Sequence, residues 1–239
     1  MSGAPDLAAS SARRGPSHLT ERLARTLRLA PEGLPFALGP ALVGVAMLAA
    51  GFLASGVVVL LLALAVGAFF RDPDRKASAV AAGAVIAAAD GRVCAIDRVP
   101  IPGAGNTPYQ RVAVFMSPLN VHVNRAPVSG RIARIVHTPG NFRAAFRDSA
   151  SESNERNLIE IADAAGRRHA IIQIAGYLAR RIVCRIREAE VIERGQRLGL
   201  IMFGSRVDHF VPDDYRLRVS LGDRVRAGLT ILGEPDDGH

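Results

Sequence analysis

Three residue types that together can open a peptide bond from within the chain occur far apart in this sequence: a serine behind a glycine, a histidine and an aspartate. Gly204-Ser205 lies in "LGLIMFGSRVDHFVP". Glycine leaves its carbonyl sterically open and tolerates strained backbone geometry. The hydroxyl of a serine just after it can attack that carbonyl and turn the amide into an ester. β-Elimination then releases the upstream chain and leaves dehydroalanine, which hydrolyses to a pyruvoyl group. Asp90, in "AADGRVCAI", stands at a turn before a strand, and His122 sits in the extended "MSPLNVHVNRAPVSG". Aspartate, histidine and serine are the types that orient a base and activate a hydroxyl. Each has an ordinary reading too: a Gly-Ser turn, an Asp-Gly turn and a satisfied strand histidine.

Other chemistries lack their signatures. Ser205 is not in Gly-x-Ser-x-Gly, so there is no nucleophile elbow. "IPGAGNTPY" (101–109) lacks the Gly-Lys-Ser/Thr of a phosphate loop and reads as a flexible loop. The histidines are His18, His122, His137, His169, His209 and His239, and no pair has a zinc spacing, so no metal is expected. His209 reads as a polar residue leaving the turn after Ser205. Cys94 and Cys184 stand apart and read as free thiols in a reducing compartment.

The elements that position these residues begin with a membrane-like segment. The 239-residue chain is 49% hydrophobic and carries a net charge of +8, which suits an anionic membrane surface or nucleic acid. No zinc knuckle or aromatic-studded basic strand supports nucleic acid. From Phe36 to Phe70 there is no charged residue. A helix needs about 20 apolar residues to cross a bilayer, so this run is too long for one span. It fits two short helices, near 36–52 and 55–70, turning at "GFLASG" and packed closely through Gly and Ala. A full crossing, a shallow re-entrant hairpin and a buried helix pair all suit it. Arg13, Arg14, Arg22, Arg25 and Arg28 precede it and Arg71, Arg75 and Lys76 follow, which places both ends in the cytoplasm. The run starts too deep in the chain for a signal peptide. Met1 to His18 is rich in Ala, Ser, Gly and Pro and reads as disordered. Leu19, Leu23, Leu27 and Leu29, interleaved with arginines, read as a short amphipathic helix ending near Pro31.

After Ala77 the pattern changes to short strands punctuated by Gly, Pro and Asp. Residues 91–99, 111–117, 121–125, 130–136, 157–163, 169–175, 180–186, 198–204 and 215–221 all suit β-structure, with room for one helical turn at 175–182. "VIERGQRLGLIMFG" and "VSLGDRVRAGLTILG" resemble each other, each a polar Gly turn followed by an apolar strand. The expected fold is mainly β: a compact sandwich or barrel-like domain preceded by an N-terminal hydrophobic helical hairpin.

Taken together, "FFRDPDR" (69–75), "ADGRV" (89–93), "FMSPLNVHVNRAPVSG" (115–130), "NERN" (154–157), "QIAGYLARRIVC" (173–184) and "ERGQRLGLIMFGSRVDHFVP" (193–212) resemble the phosphatidylserine decarboxylase proenzymes in their short bacterial or archaeal form. The resemblance covers roughly 69–239. It implies a cytoplasmic N-terminal segment (1–35), a membrane hairpin (36–70) and a pyruvoyl-dependent decarboxylase domain (71–239). It further implies self-cleavage between Gly204 and Ser205 into a β chain, 1–204, and an α chain, 205–239, that stay associated. Ser205 would become the covalent pyruvoyl cofactor, which forms a Schiff base with the amine of phosphatidylserine and accepts the electrons left by carbon dioxide. Asp90 matches the family's triad aspartate, and His122 the first histidine of a His-x-x-His-x-Pro pattern. Arg125 stands at the second, the one usually placed in the self-cleavage triad, so either His122 serves both roles or another group activates Ser205. The implied setting is the cell membrane, with the catalytic domain on the cytoplasmic side and Arg71 and Arg75 against anionic lipid. A homo-oligomer is left open. A decarboxylase of another serine phospholipid, such as an archaeal-type lipid, and a non-enzymatic membrane-anchored β module are the competing readings.

Overall fold

A computed structural model of the chain describes residues 18–75, 80–81, 83–140, 154–176, 181–202 and 204–236. Of the segment expected to be disordered all but His18, which begins a helix, lies outside these residues, as do the centre of 175–182, Arg13, Arg14 and Lys76. The chain divides into two compact units, Met1–Gly67 and Ala68–His239.

The first unit is helical. The amphipathic α1 (His18–Leu27) turns its buried Ala24 inward and leaves Leu19, Leu23 and Leu27 exposed. A 3-10 turn at Pro31–Gly33 leads into α2 (Leu34–Ala49), and a tight connection around Gly51 leads into α3 (Leu53–Phe69). The two apolar helices form a hairpin packed through glycines. A Cβ on Gly44 would meet the Leu60 side chain at 2.8 Å, and one on Gly56 would meet Leu48 at 2.7 Å. Such close approach is what small residues permit between apolar helices. The stretch Pro31–Ala49 is long and apolar enough to cross a membrane, whereas Leu53–Phe69 is shorter.

The second unit is a β domain. Its strands are β1 (Val85–Ile86), β2 (Gly91–Pro100), β3 (Pro108–Met116), β4 (Val123–Arg125), β5 (Gly130–Thr138), β6 (Arg156–Ala162) and β7 (Arg168–Ala175). They continue with β8 (Ile182–Cys184), β9 (Val191–Ile192), β10 (Arg197–Ile201), β11 (Ser205–Pro212), β12 (Tyr215–Leu217), β13 (Arg224–Val225) and β14 (Ile231–Pro235). Eight of them form one antiparallel, curled sheet in the order β13-β2-β3-β11-β7-β6-β5-β9. Two three-stranded sheets, β1-β14-β12 and β4-β10-β8, complete the half-barrel. The main core gathers Val112, Val114 and Met116 with Ile159, Ile171, Val207, Leu198 and Leu232, from the large sheet and both small ones. A second cluster, including Ile101, Leu158, Ile172 and Phe210, contains the alternate residues of the same strands. The expected β-rich, barrel-like domain behind a helical hairpin is what the chain forms.

The two similar sequence pieces occupy equivalent places in two halves of this domain. Gly228 N–H donates to the Ala87 carbonyl as Gly195 N–H donates to that of Ala126. Val93 N–H bonds the Asp223 carbonyl as Ile132 N–H bonds that of Glu190. The Asp90 carboxylate accepts from Ala227 N–H at 2.8 Å, and the Ser129 hydroxyl accepts from Arg194 N–H at 2.9 Å. Each half then starts a strand with a glycine pressed on its neighbour. A Cβ on Gly91 would lie 2.1 Å from the Phe115 carbonyl oxygen, and one on Gly130 2.2 Å from that of Ala162. Asp90 thus closes a turn, as Ser129 does in the other half.

Besides the two-residue strands β1, β9 and β13, which the sequence reading did not include, one long element differs from it. The run 198–204 ends its strand at Ile201, and Ser205 opens a new strand, β11, in the middle of the sheet. Its Arg206, Asp208 and His209 are buried, because they satisfy one another or the backbone instead of facing water.

Candidate active site

Ser205 pairs with Met116 of β3 on one side and Ala175 of β7 on the other. It is fully buried at the very start of β11. Gly204 before it has φ +50, the left-handed region that glycine enters freely, with nothing within 4 Å of where a Cβ would be. The scissile carbonyl thus belongs to a residue in a turn, and the hydroxyl to a residue fixed in a sheet. The Ser205 hydroxyl donates to the Met116 thioether at 3.3 Å. Sulfur is a weak acceptor, so this contact orients the hydroxyl without holding it firmly.

Behind Met116 runs a chain of buried amides. Asn124 donates to the same sulfur at 3.8 Å, its carbonyl accepts from Gln173 at 2.8 Å, and Gln173 accepts from Asn157 at 3.0 Å. These residues come from β4, β7 and β6, and each is at most 2% exposed. Buried amides are tolerated because they satisfy one another. No local motif marks them; the only sequence signal is an amide in an apolar strand, as in "AIIQIA".

His122 precedes β4 and is buried, with its ring 4.3 Å from that of Phe69. Its backbone carbonyl accepts from Ile201 N–H at 3.3 Å, which ties it to the strand leading into Gly204. The Asn120 carbonyl lies 3.0 Å from Nδ1. Since a carbonyl can only accept, Nδ1 carries the proton and Nε2 carries the lone pair. Nε2 is buried and has no hydrogen-bond partner among the described residues. Burial is the main cause that lowers the imidazole pKa to about 4; the Asn120 carbonyl opposes this and the Arg71 charge adds to it. His122 is therefore neutral near pH 7, with an unspent basic nitrogen.

The Asp90 carboxylate is engaged twice. Arg75 grips it with both Nη atoms, at 2.5 and 2.8 Å, and Ala227 N–H donates to it. Arg75 is thus turned into the domain rather than toward a lipid surface, because it neutralises a buried carboxylate. Among the described residues no hydrogen bond joins Asp90, His122 and Ser205 directly. The Arg125 side chain is buried and fastens the Asp72-Pro73 segment to Gly195, through Asp72 Oδ1 at 3.2 Å and the carbonyls of Pro73 and Gly195. It serves as a structural clamp. His209 is also structural: Nδ1 donates to the Val112 carbonyl at 3.0 Å, and Nε2 accepts from Ala88 N–H at 2.8 Å. Complete burial holds its pKa near 4, and it sits inside a strand rather than leaving a turn. His169 lies 3.3 Å from Asp163, at the far end of β7.

The chain that carries this glycine-serine junction has known relatives in sequence. The sequence profile described as phosphatidylserine decarboxylase matches residues 62–233. The chain belongs to the phosphatidylserine decarboxylase family. It is 44% identical to the phosphatidylserine decarboxylase proenzyme of Oleidesulfovibrio alaskensis over 213 residues, 87% of this chain and 94% of that protein. It is 44% identical to the proenzyme of Magnetococcus marinus over 208 residues, covering 86% and 94%. The proenzyme of Zymomonas mobilis is 47% identical over 180 residues, covering 72% and 73%. The chain is thus a decarboxylase of this family, and the relatives' shared description as proenzymes accords with a chain that is processed after synthesis.

Proposed function

We propose that the chain decarboxylates phosphatidylserine to phosphatidylethanolamine and carbon dioxide, using a pyruvoyl group that it makes from Ser205. The observation that carries this reading is the Gly204-Ser205 junction itself: an unhindered left-handed glycine followed by a buried serine whose hydroxyl, among the described residues, bonds a thioether alone.

The maturation chemistry follows from those atoms. Ser205 Oγ attacks the Gly204 carbonyl carbon, and the C–N bond breaks as the C–O bond forms. The product is an ester with a free amine at residue 205. Removal of the Cα proton breaks the Cβ–Oγ bond, which frees Gly204 as a carboxylate and leaves dehydroalanine. Water then replaces the nitrogen and releases ammonia. His122 Nε2 is a base with no partner among the described residues, and we assign it the proton transfers on that side. Asp90 acts on the site by position and charge, through the turn that it closes with Arg75 and Ala227. The surroundings suit a ketone at residue 205, since Lys76 is the only lysine in the chain and no ε-amine among the described residues competes with a substrate amine. The bound pyruvoyl group supplies an electron sink for the carbanion that loss of carboxylate leaves. The chain's own residues hold the substrate, shield it from water and return a proton.

In this reading the α2–α3 hairpin attaches the enzyme to the cell membrane, supported by the length and apolarity of Pro31–Ala49, and the flanking arginines favour a cytoplasmic β domain. Intact mass of the purified protein tests the reading. Two chains are expected, the smaller beginning at residue 205 with a pyruvoyl group in place of an amine, and Ser205→Ala should leave one uncut chain without activity. A single full-length mass in an active preparation would sink the mechanism.

A further inference from the structure

Between β3 and β4 the chain makes a tight turn, Ser117–Asn120. The Asn120 side-chain oxygen accepts from both the amide and the hydroxyl of Ser117, at 2.9 and 2.8 Å, and Asn120 N–H donates to the Ser117 carbonyl. This fixed turn puts an apolar tip, Pro118-Leu119, into solvent, and Leu119 is 83% exposed. A single exposed leucine is ordinary on a protein surface. Its surroundings here are not. Arg71 donates from Nη2 to the Leu119 carbonyl at 2.5 Å and from Nη1 to that of Ala68 at 2.6 Å. It makes no ion pair among the described residues, so its charge stands unneutralised at the base of the tip. Arg71 also stands two residues after Phe69, the last residue of the apolar α3, with only Phe70 between them. An apolar tip above an unpaired guanidinium, continuous in sequence with a membrane-type helix, is complementary to the boundary between acyl chains and anionic headgroups.

We infer that the Ser117–Asn120 turn is an interfacial anchor: Leu119 enters an anionic phospholipid bilayer at the headgroup boundary, with Arg71 at the phosphate level. The consequence for the site is direct, since the Asn120 carbonyl that ends the turn also holds His122 Nδ1. Docking the turn presents the His122 edge to the bilayer surface, so a serine headgroup reaches the site while its acyl chains stay in the lipid. This last step rests on the decarboxylase reading; the anchoring does not.

The chain contains no tryptophan, so Leu119→Trp gives a sole fluorophore at the tip. In the full chain, reconstituted in phosphatidylcholine vesicles containing phosphatidylglycerol, Trp emission at position 119 should be blue-shifted and quenched by acyl-brominated lipid. Quenching should be weaker in phosphatidylcholine alone. Unquenched emission in both vesicles overturns the anchor, whether or not the protein decarboxylates anything. So does a blue shift in detergent that grows with protein concentration, which would mean that a second copy covers the tip. A second variant, Leu119→Ser, reads the consequence. It should still be cut at residue 205, need about tenfold more vesicle lipid for half-maximal rate, and turn over dispersed short-chain phosphatidylserine like the parent. An equal loss on both substrates would show that the turn shapes the site and not the docking.

Discussion

The ion pair between Arg75 and Asp90 separates structural from chemical work at this site. Each side chain is about a tenth exposed, and the guanidinium also donates to the Ala227 carbonyl at 2.8 Å. Arg75→Met leaves a carboxylate in a nearly dry turn with one N–H donor and no counter-charge. Breaking a buried pair in this way costs about 3–5 kcal/mol, and the slight exposure argues for about 3. For a domain of this size that lowers Tm by roughly 10 °C. The equivalent turn in the other half of the fold has a neutral solution, because Ser129 receives the Arg194 N–H with its hydroxyl. Arg75→Met combined with Asp90→Ser copies that solution and removes the stranded charge. It should recover all but about 1 kcal/mol, within the range of one ordinary hydrogen bond. Thermal unfolding of the full chain in detergent micelles, followed by circular dichroism, measures both variants. A double variant no more stable than Arg75→Met alone refutes the reasoning, because the loss would then not come from an uncompensated charge. Intact mass of the stable double variant completes the test. Slower but persistent cleavage is expected if Asp90 works by position, and an uncut, well-folded chain would give its carboxylate a part in the chemistry.

Acid should unfold the domain through its buried histidines. His122 and His209 both have folded pKa values of about 4 against an ordinary 6.5, so the unfolded chain binds protons first as pH falls. Their neutral burial is without penalty above about pH 6.5, and stability is lost between there and pH 4, by about 3 kcal/mol each. A denaturation midpoint that does not fall between pH 7 and pH 4 would contradict this. Gln173→Leu orphans the side-chain oxygen of Asn124 and removes one acceptor from the side-chain nitrogen of Asn157, and should cost about 1–3 kcal/mol by chemical unfolding while freeing Met116 to shift. Gly91→Ala forces a Cβ against a carbonyl oxygen of the neighbouring strand and should cost about 3 kcal/mol or more. Gly204→Ala meets no atom and adds only left-handed strain, about 1–2 kcal/mol, so it should fold yet mature slowly when followed by mass.

Alternation of apolar residues made most strands legible, and the dispersed motifs made the family legible. What stayed hidden has a common physical cause. β11 keeps the period of two, with Ser205, Val207, His209 and Val211 on one face, but Arg206 and Asp208 on the other look like solvent-facing loop residues. Their burial is compensated by pairing with each other, at 2.5 Å, and by Arg111 beside Asp208, contacts that composition cannot announce. Arg75 looked like a topology charge beside an apolar helix, since its partner Asp90 lies on the far side of a segment with no pattern of its own. The amide chain needs three strands to converge before any member gains meaning. His122 was readable as a candidate, whereas its free Nε2 depends on a carbonyl placed by the Ser117–Asn120 turn.

The position of the junction also explains how a chain can be cut there and remain whole. If the bond before Ser205 breaks, the 205–239 piece takes β11 to β14 with it. β11 lies between β3 and β7, paired along its whole length with β3 and from Ser205 to Phe210 with β7. β13 pairs with β2, and β14 with β1, so all three anchor strands of the smaller piece bond to the larger one. Cleavage therefore severs a turn while leaving every ladder in place. A new chain end at the start of a central strand is as well fixed as a strand interior, although it has lost one neighbour. Such an end can carry a small carbonyl group at a defined point, facing Met116, without a loop to hold it. A serine in an exposed loop would mature into a mobile end, and a serine farther along β11 would have to break sheet pairing to react. The first residue of the central strand meets both demands.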